Sequence, residues 1–263
     1  MRVPLAVTTS ARPNEQLVAQ AQAAAREWGV PFFSRHSKES ITPWLDSRAE
    51  ALIVFGHDGV TLWDREGHHA FHEGMAHLRR LRVAAGEPDT LVRVAELRKG
   101  DAVLDCTLGL GQDALVASLA VGPEGRVVGV EKSLALYAIV SEGLKTYELG
   151  PDSCRVEVVH ADTHEYLRTL PSRSFDVVYF DPMFARPTKS QPGFDVLRRF
   201  ADHAPLTPEA LQEGRRVARR WVVVKASRYS DDLGKLGLSR EPGSRYADVV
   251  WGRIGSIERA VPP

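Results

Sequence analysis

The sequence of 263 residues has little of several features that define particular protein classes. Its two cysteines, Cys106 and Cys154, give neither a disulfide framework nor the spacing of a metal site. No apolar run approaches the ~20 residues of a bilayer-spanning helix, and the N-terminus lacks the apolar core of a signal peptide. The formal net charge is zero, so a polyanionic partner would need a local basic patch. These absences predict a protein of the reducing cytoplasm without a membrane partner.

The length and composition indicate more than one compact unit. The chain exceeds the usual ~150 residues of a domain, and 43% hydrophobic with 26% charged residues is ordinary for a globular protein. The first 75 residues carry short apolar strands, one of them over 30–33, and a helix capped by Asn14. A hairpin is predicted across Asp58-Gly59. We therefore predict a small N-terminal α/β unit over 1–75 and a second domain over 76–263.

Four histidines cluster at the end of the predicted first unit: His68, His69, His72 and His77. In a helix, His68 and His72 would share one face, as two ligands of a metal site do. No cysteine or carboxylate arrangement completes such a site. We therefore predict no bound metal and expect hydrogen-bonded histidines near a ligand cleft.

The stretch DAVLDCTLGLGQD, residues 101–113, joins a buried strand to a helix through a glycine turn. Gly109 and Gly111 let the backbone approach a ligand without a Cβ in the way, and the free N–H groups of the following helix point back at the loop. Gln112 and Asp113 begin that helix, where a carboxylate favours the helix dipole. Such a corner binds nucleotides, and the loop alone suits either a nicotinamide dinucleotide or S-adenosylmethionine.

Strands and helices alternate through the second domain. The predicted strands are 102–105, 126–131, 154–160, 175–181 and 221–225, and the predicted helices are 114–120, 134–147, 163–169 and 208–220. Such alternation is typical of a parallel sheet covered on both faces. The chain then ends in a predicted hairpin of 236–240 with 246–254. We predict a Rossmann-like α/β fold with a mostly parallel seven-stranded sheet and a C-terminal antiparallel hairpin, the layout of class I methyltransferases.

Acidic residues follow the carboxyl ends of four predicted strands, which is where ligands of such sheets bind. Asp105, with Thr107, lies where the ammonium group of S-adenosylmethionine would be. The two oxygens of Glu131 can accept both ribose hydroxyls. Asp162 can accept from the adenine amine, and Thr163 is expected to cap the next helix. A single acidic residue at such a place more often caps a helix, whereas the ordered series favours the cofactor.

The fourth acidic residue begins the tetrapeptide Asp181-Pro182-Met183-Phe184, which is similar to the (D/N)-P-P-(Y/F) motif of methyltransferases acting on exocyclic amines or amides. A conjugated amine is a poor nucleophile, and a carboxylate with the Pro182 carbonyl can accept its two N–H bonds and aim its lone pair. Phe184 can stack on a planar base, and Met183 lies beside it on the substrate side. Alone, an Asp-Pro pair is a common strand-to-loop turn. At this strand end it indicates N-methylation.

Three segments resemble one family in particular. DCTLGLGQDALVAS, VVYFDPMFARPTKS and VVVKASRY are similar to signatures of the J-type small-subunit ribosomal RNA guanine-N2 methyltransferases. The resemblance implies S-adenosylmethionine as methyl donor, S-adenosylhomocysteine as product and no metal. It implies these cofactor-binding residues: Gln112, Asp113, Glu131, Lys132, Asp162, Thr163 and Asp181. The chain departs from the family at Gln112, where an arginine is usual, and in QPGFDVLRRF, which lacks a run of lysines.

Basic and hydroxyl side chains after strand ends are the candidates for RNA contact. Lys189, Ser190 and Lys225 follow strand ends on the cleft side. Rim contacts are expected from Arg79, Arg80 and Arg82. The basic arc of the helix predicted over 208–220 is expected to be an ordinary solvated face. The expected partner is RNA, either ribosomal RNA or a partly assembled small subunit.

Two other functions fit the same motifs. One is a methyltransferase acting on a protein amide or a small amine, and the other is a non-catalytic cofactor-binding factor of RNA assembly. A nicotinamide oxidoreductase is disfavoured because nothing in the chain resembles a hydride-transfer acid.

Overall fold

The computed structural model describes residues 2–182, 194–243 and 247–257. The strands, in chain order, are β1 (Val3–Thr9), β2 (Ala49–Gly56), β3 (Gly59–Asp64), β4 (Gly67–Ala70), β5 (Ala102–Asp105), β6 (Arg126–Glu131), β7 (Val156–His160), β8 (Phe175–Phe180), β9 (Ala218–Ser227) and β10 (Val249–Gly255). The helices are α1 (Glu15–Glu27), α2 (Thr42–Ser47), α3 (Ala76–Ala84), α4 (Thr90–Val94), α5 (Gln112–Val121), α6 (Leu134–Thr146), α7 (Thr163–Thr169), α8 (Phe194–Phe200), α9 (Pro208–Val217) and α10 (Asp232–Lys235). Within these described residues, no helix is both long and apolar enough to cross a membrane.

The chain divides into two compact units. The first combines Met1–His72 with Leu134–Tyr147, and the second combines Glu73–Ser133 with the chain from Glu148 onward. Helix α6 therefore belongs to the first unit, although it follows β6 of the second in sequence. It packs on β3 and β2, and Gly143 lies so close to Phe71 that a Cβ added to this glycine would be 2.2 Å from the Phe71 side chain.

The first unit is a four-stranded sheet in the order β1-β2-β3-β4. β1 and β2 are parallel, and the hairpin predicted across Asp58-Gly59 joins β2 to β3. Asn14 caps α1, since its side chain accepts a hydrogen bond from the Leu17 amide at 2.8 Å. The strand predicted over 30–33 is wrong in extent: only Phe32 forms a bridge, to Val7. Pro31 has no amide hydrogen to extend the pairing.

The second unit is a six-stranded sheet in the order β10-β9-β8-β5-β6-β7, in which β10 alone is antiparallel to its neighbour. Its centre is completely buried, as the side chains of Leu104, Val128, Val178 and Val222 show. Near-continuous apolar runs of this kind form the inner strands of a parallel sheet. The carboxyl ends of the parallel strands consequently meet at one edge, where α5 and α7 begin. The predicted Rossmann-like α/β class is confirmed.

Two details of the predicted sheet differ. The described residues contain six of the seven predicted strands, because the segment predicted over 236–240 forms only one bridge, between Arg240 and Gly252. It follows the helical turn α10, and Gly237 has a left-handed φ of +69° that no strand residue adopts. Helix α9 ends at Val217 rather than at 220, and Ala218 pairs with Phe175 at the start of β9.

Candidate functional site

A cavity of about 680 Å³ lies in the second unit over the carboxyl ends of β5, β6, β8 and β9. A volume of this size suits a nucleotide-sized ligand. Twelve of the residues predicted for cofactor or substrate line it: Asp105, Thr107, Gly109, Gln112, Asp113, Glu131, Lys132, Asp162, Thr163, Asp181, Pro182 and Lys225. Gly111 is next to them as the N-cap of α5. The predicted residues Met183, Phe184, Lys189 and Ser190 lie outside the described residues.

The glycine loop takes a backbone conformation that few other residues adopt. Gly109 and Gly111 have φ angles of +53° and +76°, both in the left-handed region. The Gly111 amide donates to the Leu108 carbonyl at 2.8 Å, and the Gly111 carbonyl accepts the amide of Leu115 in α5. A Cβ at Gly109 would lie 3.4 Å from the Leu197 side chain across the cavity wall. The turn therefore brings the backbone itself to the cavity surface.

The carboxylate of Glu131 lies at the end of β6 and is 6% exposed. Its Oε2 accepts the Gly109 amide at 2.9 Å, and its Oε1 accepts the Ser133 amide at 2.7 Å. Burial raises the pKa of Glu131 to about 7, although these amide donors oppose the rise. The Lys132 amide also donates to this carboxylate, and the lone pair that the three amides leave can accept from a hydroxyl donor.

Asp105 is a buried carboxyl at the end of β5 that lacks a cationic partner in the described part of the chain. It is 2% exposed, and its Oδ1 accepts the Thr107 amide at 3.0 Å. Burial raises its pKa to about 8, and the negative charge of Asp113 adds to the rise. A buried carboxyl in this state is chemically suited to an incoming ammonium group, which would favour the ionised form.

Asp162 both caps α7 and lines the cavity, so the prediction of Thr163 as the cap is wrong; the Thr163 hydroxyl donates instead to the Cys106 carbonyl. Oδ1 of Asp162 caps α7 by accepting the amides of His164 and Glu165 at 2.9 and 3.2 Å. Its Oδ2 lies 3.1 Å from Nζ of Lys132, which also reaches Asp202 at 2.9 Å. Burial opposes ionisation of Asp162, but Lys132 and the two amides lower its pKa. The helix cap and the exposure to the cavity therefore coexist at one residue.

Asp181 follows β8 and is held from two sides. Its amide donates to Oγ1 of Thr107 at 2.6 Å, and its Oδ2 lies 2.6 Å from Nζ of Lys225. Burial raises the pKa of Asp181 above its ordinary value, in spite of the attraction of Lys225. Thr107 thus fixes the backbone of Asp181, and Lys225 contacts its side chain.

Asp113 forms a second contact of Lys225, at 3.3 Å, and is surrounded by donors. Nη1 of Arg79 lies 2.5 Å from its Oδ1, and the Tyr179 hydroxyl donates to its Oδ2 at 2.8 Å. Burial opposes its ionisation, but Lys225 and Arg79 outweigh burial and hold the pKa of Asp113 well below its usual range. Asp113 was predicted to bind cofactor, and its present partners are protein side chains.

Two residues of this arrangement were not assigned from sequence. Arg79 was expected only at the rim, yet it pairs with both Asp89 and Asp113. Tyr179 was not singled out, although its hydroxyl is buried and needs a partner. The cavity wall formed by Leu197 and the segment 201–207 was also missed, because its residues carry no motif.

The basic residues predicted as a solvated face have structural partners. Arg216 donates to the carbonyls of Leu167 and Leu170 at the end of α7. Arg219 and Arg220 lie in β9 and not on the helix, and they pair with Asp176 and Asp101. These guanidinium groups therefore tie strands and loops together.

The four histidines do not share one helix: His68 and His69 lie in strand β4, His72 in the loop that follows it and His77 in helix α3. His68 lies in β4, and its ring stacks on that of Trp63 with a centroid distance of 4.7 Å. Among the described residues, no group of three or more histidine, cysteine or acidic side chains is arranged to hold a metal ion.

The sheet order, with a ligand cavity at its carboxyl edge, defines a Rossmann-like methyltransferase fold. The crystal structure of the SAM-dependent methyltransferase NGO1261 from Neisseria gonorrhoeae has the same fold, with a TM-score of 0.61 and 17% identity, covering 98% of this chain and 97% of that one. A sequence family described as "Putative SAM-dependent methyltransferase" matches residues 45–242. The chain belongs to this family of SAM-dependent methyltransferases.

Two relatives extend this result. The chain is 38% identical to the uncharacterized protein YpiP of Bacillus subtilis, over 89% of this chain and 93% of that protein. It is 32% identical to a protein of Laribacter hongkongensis named ribosomal RNA small subunit methyltransferase J, over 77% of this chain and 70% of that protein. The resemblance drawn from the three sequence segments is confirmed.

Proposed function

We propose that this methyltransferase transfers the methyl group of S-adenosylmethionine to the exocyclic amine of a base in RNA, with guanine N2 of small-subunit ribosomal RNA as the target. Two observations support the proposal. The relative from Laribacter hongkongensis bears the name of a small-subunit ribosomal RNA methyltransferase. In this chain Asp181 and Pro182 follow β8 at the wall of the cavity, where a hydrogen-bond acceptor for the amine is needed.

The cavity residues fit the cofactor part by part. Asp105 would accept the ammonium group, since it is a buried carboxyl without a described cation. Glu131 would accept a ribose hydroxyl with the lone pair that its amide donors leave. Asp162 would accept the adenine amine, with Lys132 and Thr163 beside it. When bound, S-adenosylmethionine supplies an electrophilic methyl group on a sulfonium.

The substrate amine is activated by orientation rather than by a strong base. Oδ1 of Asp181, which has no hydrogen-bond partner among the described residues, and the carbonyl of Pro182 would accept the two N–H bonds and favour a pyramidal nitrogen whose lone pair points at the methyl group. As the nitrogen gains the methyl group it becomes cationic, and the carboxylate stabilises that charge until a proton leaves to water. Phe184 would stack on the base, with Met183, Lys189 and Ser190 on the RNA side.

Nucleoside mass spectrometry of ribosomal RNA tests the proposal. We expect RNA from cells that lack the gene to lose an N2-methylguanine signal, which the wild-type gene restores and the Asp181→Asn gene does not. An unchanged signal contradicts the ribosomal target.

The purified enzyme with radiolabelled S-adenosylmethionine separates the remaining candidates. Label in small-subunit RNA supports the proposal. Label in protein or in small amines, or tight RNA binding without turnover, contradicts it.

A further inference from the structure

Five charged side chains alternate in sign through the second unit. Arg79 of α3 contacts Asp113 of α5 at 2.5 Å, Asp113 contacts Lys225 of β9 at 3.3 Å, and Lys225 contacts Asp181 at 2.6 Å. Asp89 lies at the outer end, 2.9 Å from Arg79. The chain of contacts thus starts at the beginning of α4 and ends on the carboxylate proposed to orient the target amine.

Lys225 is poorly placed to bind an RNA phosphate. Its side chain is 20% exposed, and its ammonium lies between the Oδ2 atoms of Asp113 and Asp181. Trp251, its cross-strand neighbour in β10, has its ring centroid 5.7 Å from Nζ. An ammonium group has three donors, and two carboxylates with a flanking indole already surround this one. Releasing it to a phosphate would leave the Asp181 carboxylate without this counter-ion and would leave Asp113 with Arg79 alone.

We propose that Lys225 is a positioning residue: it fixes Oδ2 of Asp181, supplies the counter-charge of that carboxylate and leaves Oδ1 for the target amine. The inference rests on the proposed role of Asp181 in the reaction. It replaces the sequence-based assignment of Lys225 to RNA binding. Arg79 acts indirectly on the same carboxylate, because it neutralises Asp113 and so prevents Asp113 from attracting Lys225 away from Asp181.

The charges around Asp181 show why the carboxylate needs this lysine. The Asp181 carboxylate faces Asp113 of α5 and, at a greater distance, Arg79 of α3. Asp105 at the end of β5 and the Tyr179 hydroxyl of β8 are also close to it, and Asp248 lines the same cavity. Burial and the charge of Asp113 both raise the pKa of Asp181, while Lys225 and then Arg79 lower it. Without Lys225, burial and the repulsion of Asp113 act with little opposition. The pKa of Asp181 would then rise further, which favours the protonated form that lacks the acceptor charge.

The test compares Lys225→Met and Lys225→Arg with the wild-type enzyme, and uses Lys235→Met as the matched control. Lys235 is 72% exposed in α10 and pairs only with Asp232 in the described structure. We expect Lys225→Met to lower kcat about 10²-fold, as for the loss of one preorganised electrostatic group, with KM for RNA and its salt dependence unchanged. The activity of Lys225→Met should recover as the pH is raised, because the acid limb of its kcat profile lies at higher pH than in the wild type. Lys225→Arg should restore part of kcat, and the control should match wild type.

A measurement without turnover keeps the inference separate from the proposed function. In protein labelled with ¹³C at the aspartate carboxyls, the resonance absent from Asp181→Asn identifies Asp181. We expect its titration midpoint to rise by more than one pH unit in Lys225→Met. An unchanged midpoint overturns the inference whatever the substrate is, whereas a wild-type enzyme that fails to methylate RNA overturns only the proposed function.

A double-mutant cycle distinguishes the positioning role of Lys225 from a general loss of stability in the Lys225 variants. In the Asp181→Asn background, Lys225→Met should lower kcat little further, since the group it acts through is gone. Equal losses of kcat in both backgrounds contradict the inference. A raised KM for RNA with a flatter salt dependence and normal kcat also contradicts it, and would indicate that Lys225 binds RNA. Thermal melting of each variant accompanies the kinetics.

Discussion

The backbone amide of Gly109 donates to Oε2 of Glu131 across 2.9 Å, so one carboxylate joins the glycine loop to the end of β6. Because burial raises the pKa of Glu131 to about 7, this carboxyl is half protonated near neutral pH. A protonated carboxyl loses acceptor capacity for the ribose hydroxyls. We therefore expect affinity for S-adenosylmethionine to increase as the pH rises from about 6 to 8, by at most about tenfold per pH unit.

Calorimetry at a series of pH values measures this dependence. Glu131→Gln should bind more weakly, by on the order of 1–3 kcal/mol for a lost charged hydrogen bond, and with a flatter pH profile. A wild-type profile in the Gln variant would show that another group controls the dependence.

Gly111 tests whether the loop backbone itself contacts the cofactor. Its φ of +76° disfavours a branched side chain, and Gly111→Val should abolish binding of S-adenosylmethionine. Gly150→Val is the matched control, because Gly150 has a φ of +82° and a Cβ added there would have no atom within 4 Å. Both variants should lose similar stability, about 1–2 kcal/mol, and only Gly111→Val should lose binding. Normal binding by Gly111→Val would place the pocket elsewhere.

Asp181→Asn keeps the shape and one acceptor oxygen but loses the negative charge. We expect kcat on RNA to fall on the order of 10²–10³-fold, because the developing cationic amine loses a preorganised counter-charge. Single-turnover kinetics at saturating cofactor measures this effect. Methylation at close to the wild-type rate would exclude Asp181 from the chemistry.

Phe184 is predicted to stack on the target base. Phe184→Ala should weaken RNA binding by ~1–3 kcal/mol, the usual contribution of a stacking contact, and spare cofactor affinity. Phe184→Tyr keeps the ring face and should behave as wild type. An effect of Phe184→Ala on cofactor binding alone would contradict the stacking role.

Gly143 tests the packing of α6 within the first unit. A Cβ there would lie 2.2 Å from Phe71, whose ring also packs edge-on against Tyr147. Gly143→Ala should therefore lower the free energy of unfolding by about 1–3 kcal/mol, as overpacking does. Lys145→Ala, on the exposed side of the same helix, is the control and should change stability little. Equal melting temperatures for the two variants would contradict this close packing.

Local sequence was sufficient for parts of the fold whose determinants are local. The strand 126–131 and the helix 163–169 were predicted with the observed ends, since an apolar run and the Asp162 cap define them. Helix α9 was extended too far because Arg219 and Arg220 are acceptable helix formers. Their partners Asp176 and Asp101 lie 43 and 119 residues away in sequence.

The same limit applies to the cavity. Acidic residues at strand ends could be located from the alternation of strands and helices, because parallel strands bring their carboxyl ends together. The pairing of Lys225 with Asp181 and Asp113 could not be predicted from sequence, since these residues precede Lys225 by 44 and 112 positions. The sequence also did not indicate that α6 belongs to the first unit, because the apolar residues of a helix do not identify the sheet against which it packs.

The interrupted first unit sets an order of events during synthesis. A nascent chain that ends at His72 contains the four-stranded sheet but lacks α6, and the helix is complete only when residue 146 has been made. By then β5, α5 and β6 have already been synthesised, although the sheet of the second unit still awaits β7, β8, β9 and β10. Domains usually fold in turn from the N-terminus, whereas here the first unit is complete only after the first two strands of the next one have been made.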